Sequence, residues 1–297
     1  MRLDELVKSE GENIRRAAGE HGAKAVRFFG KLEWDSDTPN GSIFVLADFV
    51  PDCTLLDQAS LSLSMKNIFG HNVEVFSQSA LPEDVLQSLL ESGIPLTHDD
   101  EYNLGCIQTA IEKAERYKSL GREIFEQNEL VQTFVVHQLQ IVHVLSNRIS
   151  EDMKEEADEI DWENLVPVEE IPLYRGRELV DEVPAGRDKD LMLLNTMIYA
   201  FELVEKHVGR SAEDTHTDEL VRSWLAHHLT VAGDACRSLS SDLIEATPEM
   251  PWNVLMEMAT VIELSGSDLD WQAIWNTVEH DVMPVLAAVR EVKAQLD

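Results

Sequence analysis

The sequence predicts an α+β protein: a small N-terminal α/β unit followed by two all-helical bundles. Three observations carry this. Short apolar runs separated by loops rich in Gly, Asp, Pro and Asn are confined to the first part of the chain. Long amphipathic stretches at helical spacing fill the rest, starting at Asp99 or close to it. That helical part also repeats itself, without a gap, at a shift of 90 residues.

Taken in order, residues 2–20 place Leu3, Leu6, Val7, Ile14 and Ala17 at helical spacing and predict an amphipathic helix. AVRFF (25–29), SIFVLADF (42–49) and VEVF (73–76) predict strands. Leu55 to Phe69 reads as a helix between the second and third strands. Another helix follows the Leu81-Pro82 start signal and runs to Ser92. The order α-β-β-α-β-α makes residues 1–97 one small α/β domain. Residues 98–175 form a first helical unit. The charged, Gly- and Pro-containing stretch RGRELVDEVPAGRD (175–188) predicts a linker, assigned to 176–188, and residues 189–297 form a second helical unit. In the repeat, Asp100 meets Asp190 and Leu104 meets Leu194. Ala110, Glu112 and Glu115 meet Ala200, Glu202 and Glu205. Glu129-Leu130-Val131 meets Glu219-Leu220-Val221, His137 meets His227, and Trp162 and Leu165 meet Trp252 and Leu255. A period this long predicts a duplicated domain rather than a solenoid.

The 56 Asp and Glu against 24 Lys and Arg give a formal net charge of -32. Such a surface repels nucleic-acid phosphate unless a basic cluster interrupts it, and the sequence has none. Nucleic acid is therefore not an expected partner. The same acid excess suits solubility at high internal salt, which screens the self-repulsion. Cys53, Cys106 and Cys236 are scattered and odd in number, so neither a disulfide framework nor a thiolate metal site follows. The start, MRLDELVKSEGENIRR, has no apolar signal core, and no run approaches the ~18 apolar residues that span a bilayer. A soluble, cytoplasmic protein with no membrane partner is expected.

Several stretches resemble known families. Gly30-Lys31, Gly41-Ser42-Ile43-Phe44-Val45, ADFVPDCTLLD (47–57) and HNVEVFSQSALPEDVLQSLLESGIPL (71–96) resemble the minimal nucleotidyltransferases (MNT) of prokaryotic toxin–antitoxin pairs. That family runs strand, Gly-Ser, loop, then Ser-Asp-Ile-Asp-Leu on the next strand. The helical copies each resemble HEPN domains, the helical ribonuclease partners of those nucleotidyltransferases. The first copy shows AIEKAERY (110–117), VVHQLQIVHVLS (135–146) and DWENLVPV (161–168). The second shows AFELVEKH (200–207), LAHHLTVAGDACRSLS (225–240) and PWNVLMEM (251–258).

The nucleotidyltransferase resemblance implies a divalent metal held by two carboxylates two residues apart on one strand, facing the same way. Ser42 and Phe44 stand at those positions, and neither is a charged ligand. The family's third acid matches Glu74, and Lys31 replaces the Ser that helps hold phosphate. Gly30, Lys31 and Ser42 are thus the remnant of a nucleotide-binding element. Asp35 and Asp37 read as solvated loop acids. HEPN ribonucleases use no metal: an Arg steadies the phosphate and a His moves protons, in an Arg-x4-6-His motif after the Trp segment. Carried over, the pair falls at Glu169 and Tyr174 in the first copy and at Ala259 and Leu264 in the second. Arg175 and Arg177 lie close to the first motif, but no His follows until His207. No Arg or His lies between Trp252 and Glu279.

His137 and His143 are six apart, a poor spacing for two ligands on one helix face, and His227 and His228 are adjacent and point to different sides. None reads as a metal ligand. Trp224, Trp252, Trp271 and Trp275 read as core.

The expectation is an MNT–HEPN–HEPN fusion with eroded catalytic centres, a non-catalytic binding or regulatory protein of toxin–antitoxin origin. It needs no cofactor and no metal. Its helical copies should pair as an intramolecular pseudo-dimer, with Tyr174, Ala259 and Leu264 at or near the contact, and an outside partner would be a HEPN or MNT protein. Two alternatives stay open. One is a divergent nucleotidyltransferase that uses Mg and ATP through Glu74 and loop acids to transfer AMP to protein. The other is an antitoxin that neutralises a separate HEPN ribonuclease by binding it.

Overall fold

The structure is a computed structural model. It describes residues 3–29, 33–35, 38–40, 43–92, 100–156, 162, 173–175, 178–180, 184–206, 218–265 and 269–296. The N-terminal unit holds α1 (Leu3–Ser9), α2 (Gly11–Glu20), β1 (Ala23–Phe29), β2 (Glu33–Asp35), β3 (Thr38–Asn40), β4 (Ile43–Phe49), α3 (Leu55–Phe69), β5 (Val73–Ser77) and α4 (Glu83–Ser92). The expected 2–20 helix is two helices, with a turn at Glu10 just before Gly11. Strands form a three-stranded sheet in the order β1-β4-β5, β1 antiparallel and β5 parallel to β4. The parallel pair is joined by α3, as parallel pairing demands a crossover. Thr54 starts α3 with a reciprocal capping box to Asp57, and Gly70 ends it at φ 65, where a side chain would be strained.

Strand alternation gives β4 two buried faces. Ile43, Val45, Ala47 and Phe49 pack with Ile14 and Ala17 of α2 and with Leu61 and Met65 of α3. Phe44 and Leu46 face the other way, with Phe76 and with Leu89 of α4. The loop expected between the first two main strands contains a hairpin instead. Asp35 pairs with Thr38 in β2–β3, leaving two residues between the strands, a length hairpins favour.

The helical part holds α5 (Asp100–Lys118), α6 (Arg122–Gln127), α7 (Glu129–Ser146), α8 (Glu151–Glu156), then β6 (Leu173–Arg175) and β7 (Glu178–Val180), then α9 (Arg187–Glu205), α10 (Glu219–Arg237), α11 (Ser241–Ala246), α12 (Trp252–Ser265), α13 (Trp271–His280) and α14 (Val282–Leu296). The stretch read as a plain linker thus contains a second short hairpin, paired Leu173–Val180 and Arg175–Glu178. Its three-residue strands are too short to show a period.

The repeat is visible bond by bond. Asp100 accepts from Ser150 N (2.8 Å) and Ser150 Oγ (2.5 Å); 90 residues on, Asp190 accepts from Ser240 N (2.9 Å) and Ser240 Oγ (2.6 Å). Asn128 caps α7 through the N–H groups of Leu130 and Val131, and Asp218 caps α10 through those of Leu220 and Val221. The first copy's core of Ile107, Ala110, Val142, Leu145 and Ile149 answers to Met197, Ala200, Ala232, Ala235 and Leu239 in the second.

Candidate functional site

Two seams position the residues of interest. The first joins the N-terminal unit to the second helical copy, passing over the first. Helix α3 lies on α12 and α13, and Leu55 and Ala59 belong to the second copy's core. Polar groups along this seam are matched. Lys66 Nζ reaches both Glu257 oxygens (2.7 and 2.8 Å), and Ser62 Oγ donates to the same carboxylate (2.7 Å). Gln58, Ser77 and Ser79 donate to Asp270. Leu55 N donates to Thr277 Oγ1 (2.8 Å), and Asn276 Nδ2 donates to the carbonyls of Pro51 (3.0 Å) and Cys53 (2.7 Å). Glu257 is buried, so its charge requires the three hydrogen bonds that Lys66 and Ser62 donate.

The second seam joins the helical copies. Repeat-equivalent helices α7 and α10 pack on each other. His137 and His227, themselves repeat-equivalent, meet there. His227 Nδ1 donates to Gln140 Oε1 (3.1 Å), and the Gln140 amide also reaches His137. Burial, reinforced by His227 and Lys113, lowers His137 to about 3; burial alone lowers His227 to about 4. Both rings are therefore neutral at physiological pH. Glu219 at the start of α10 accepts from Tyr117 Oη (2.8 Å) and pairs with Arg116, both on α5.

A cleft of about 450 Å³ opens along this seam, lined by His137, Gln140, His143 and Arg148 from the first copy and by Asp234 and Glu263 from the second. Burial, then Glu263, push the Asp234 carboxyl up, and Arg237 opposes them by pairing with both acids. Burial lowers the Arg148 guanidinium, and the Glu74 carboxylate of β5 acts against that shift. An arginine of the first helical copy thus feels the charge of Glu74 in the N-terminal sheet.

The positions singled out in the sequence fall as follows. Phe44 and Glu74 are register partners on adjacent strands, both buried. The Phe44 ring stacks on Phe76 with centroids 6.4 Å apart, in a core that includes Leu89 of α4. Gly30, Lys31, Asp37, Ser42 and Glu169 lie outside the described residues, as do the side chains of Asp35, Tyr174 and Leu264. Asp35 is a strand residue of β2 rather than part of an open loop. Ala259 is fully buried in the seam between α12 and α10 of the second copy: a methyl group on Gly233 would lie 2.5 Å from its Cβ. His137 and His143 line one cleft despite their spacing. The adjacent His227 and His228 rings do not diverge; their centroids are 5.0 Å apart, edge to face. Trp224, Trp252 and Trp275 are core, while Trp271 is half-buried under Arg222, 4.9 Å above its ring. Arg148, Asp234 and Glu263 escaped sequence reading, because they sit in no motif and meet only when the copies pair.

Among the described residues no group of three or more His, Cys, Asp or Glu could hold a metal ion. None of the described helices is long and apolar enough to cross a membrane. No solved structure matches the chain. The family model described as Ribonuclease HepT-like matches residues 197–292, about a third of the chain. That span runs from α9 into α14 and includes Ala259 and the whole face of α12 and α13 on which α3 sits. Beside an N-terminal mixed three-stranded sheet with helices, residues 197–292 carry a HepT-like domain of the HEPN ribonuclease type.

Proposed function

We propose that this chain acts by binding, as an MNT–HEPN–HEPN fusion that neither cleaves RNA nor transfers nucleotide. The observation that carries the reading is Ala259. It stands where the HEPN resemblance requires arginine, and it is wedged against Gly233 with no room for a longer side chain. Phe44 in the sheet core supports the same reading at the other centre, since a ring there cannot hold a metal. The pairing of α7 with α10 is read as an intramolecular HEPN pseudo-dimer, and the docking of α3 on α12 and α13 as the contact of an antitoxin-like unit with its toxin-like partner.

The test is incubation of the full chain with transfer and messenger RNA, with and without divalent metal, beside calorimetric titration with Mg·ATP. No cleavage is expected, and no saturable heat at concentrations below roughly millimolar. One observation favours a second reading. The cleft between the copies holds Arg148, His143 and Asp234, groups able to steady a phosphate and move protons. Cleavage lost in Arg148→Ala or His143→Ala would establish a displaced nuclease centre and end the binding-only reading.

A further inference from the structure

The two helical copies differ in one respect that the repeat makes measurable. In the second copy, α9 packs on α10 and on the C-terminal helix α14. Phe201, Val204, Leu225 and Leu229 are sealed in one core with Val282, Leu286, Val289 and Val292 of α14. Among the described residues the first copy has no counterpart of α14, because positions 192–205, 90 residues before 282–295, lie inside α9. Its counterparts of the sealed residues, Ile111, Ala114, Val135 and Leu139, instead line an open groove of about 650 Å³ between α5, α6 and α7. Ile111 is 41% exposed, whereas Phe201 is 2% exposed. Ile124 of α6 and Val136 of α7 are exposed as well. An apolar groove open to solvent, lined by Ile111, Phe125, Val135 and Leu139, is surface of the kind that marks an interaction site.

What fits the groove follows from what covers its counterpart. Helix α14 presents aliphatic residues at i, i+4, i+7 and i+10, and its Arg290 Nη2 donates to Glu202 Oε1 (2.8 Å). The counterpart of Glu202 is Glu112, which is exposed at the same turn of α5 and accepts a bond from Gln108 (2.9 Å). Lys118 and Arg122 stand at the far rim. We propose that this groove binds an amphipathic helix of a partner protein, one with an aliphatic stripe at α14 spacing and an Arg or Lys placed to meet Glu112. This is helix-in-groove recognition read from the chain's own repeat. It stands on the exposure difference between the copies and holds whether or not either copy is catalytic.

A fluorescent peptide of residues 282–296 is the probe, titrated against the full chain by anisotropy. Saturable binding is expected, weakened about tenfold by Ile111→Glu. Glu112→Lys, on an exposed side chain that leaves the fold intact, should weaken it about threefold. A peptide carrying Arg290→Glu should recover affinity for Glu112→Lys. Leu90→Glu, an exposed apolar position on α4, should change nothing. Absence of saturable binding up to roughly 1 mM overturns the proposal. So does binding indifferent to Ile111→Glu, because the peptide has then displaced α14 from the second copy. Concentration-dependent dimerisation abolished by Ile111→Glu would give the groove to a second copy of the chain and overturn it too.

Discussion

Replacing Gly233 by alanine tests the closest approach in the HepT-like domain. Within a helix, Gly→Ala is worth about 1 kcal/mol of stability from propensity alone. Here the added methyl would lie 2.5 Å from Ala259 Cβ and 2.7 Å from the Leu255 carbonyl oxygen. Carbon atoms in contact sit about 3.5 Å apart, so α10 and α12 must separate by roughly 1 Å. The Leu255 oxygen is backbone, so no side-chain rotation relieves the clash. A gap of about 1 Å forfeits up to half of each contact energy along the seam, and overpacking of this kind costs about 3 kcal/mol. The net expectation is a loss of about 2 kcal/mol, or about 4–8 °C in Tm for a cooperative melting unit of roughly 150–250 residues. Gly105→Ala is the matched control. It lies mid-helix in α5, with nothing within 4 Å of the added methyl, and should raise Tm by about 2–4 °C. Calorimetric melts of the three proteins decide it. If Gly233→Ala melts at or above the parent, the α10–α12 seam is not this close. Position 259 would then have room for a longer side chain, arginine included.

Lys66→Met removes the cation from the buried Glu257 and should cost about 1–3 kcal/mol, reduced from the fully buried case because Lys66 is partly exposed. Added Glu257→Gln should recover part of that loss, read by denaturant midpoint. For pH, His137 and His227 have folded pKa values near 3 and 4, below the unfolded 6.5, so their contribution is full above pH 6.5 and lost as pH falls toward 4. Between pH 7.5 and pH 5 each ring withdraws about 2 kcal/mol, opposed by Asp234, whose raised carboxyl favours the folded state on acidification. The loss should shrink by about 2 kcal/mol in His137→Asn relative to the parent; an unchanged loss would show that the ring is solvated. Burial pushes Cys236 up to about 12 and Cys53 higher still, so a maleimide at neutral pH should label Cys106 first and the other two only on unfolding.

Local elements were readable wherever a period ran long enough. The three main strands, α3, and the helices that repeat at 90 residues follow from apolar spacing, and the capping residues Thr54, Asn128 and Asp218 fix where helices begin. The hairpins β2–β3 and β6–β7 were not readable, since three-residue strands carry no period. Phe44 was legible only as an apolar residue where the nucleotidyltransferase resemblance expects an acid, and its stacking on Phe76 was not legible. The cleft was the least legible part. Arg148, Asp234 and Glu263 come from two copies of the repeat, and nothing local to any of them signals that α7 and α10 will bring them together.

The N-terminal unit docks on a part of the chain made long after it. Leu55 bonds to Thr277 across a sequence separation of 222 residues. At ribosomal rates of about 5–20 residues per second, the face of α3 waits roughly 10–40 s for its partner to be synthesised. During that interval Leu55 and Ala59 have no core to enter, so a nascent chain stalled before residue 250 should present a sticky α3 to chaperones. The order also has a protective side. By the time α12 leaves the ribosome, the surface that covers it has already folded, and the HepT-like face is never made without its cover close at hand.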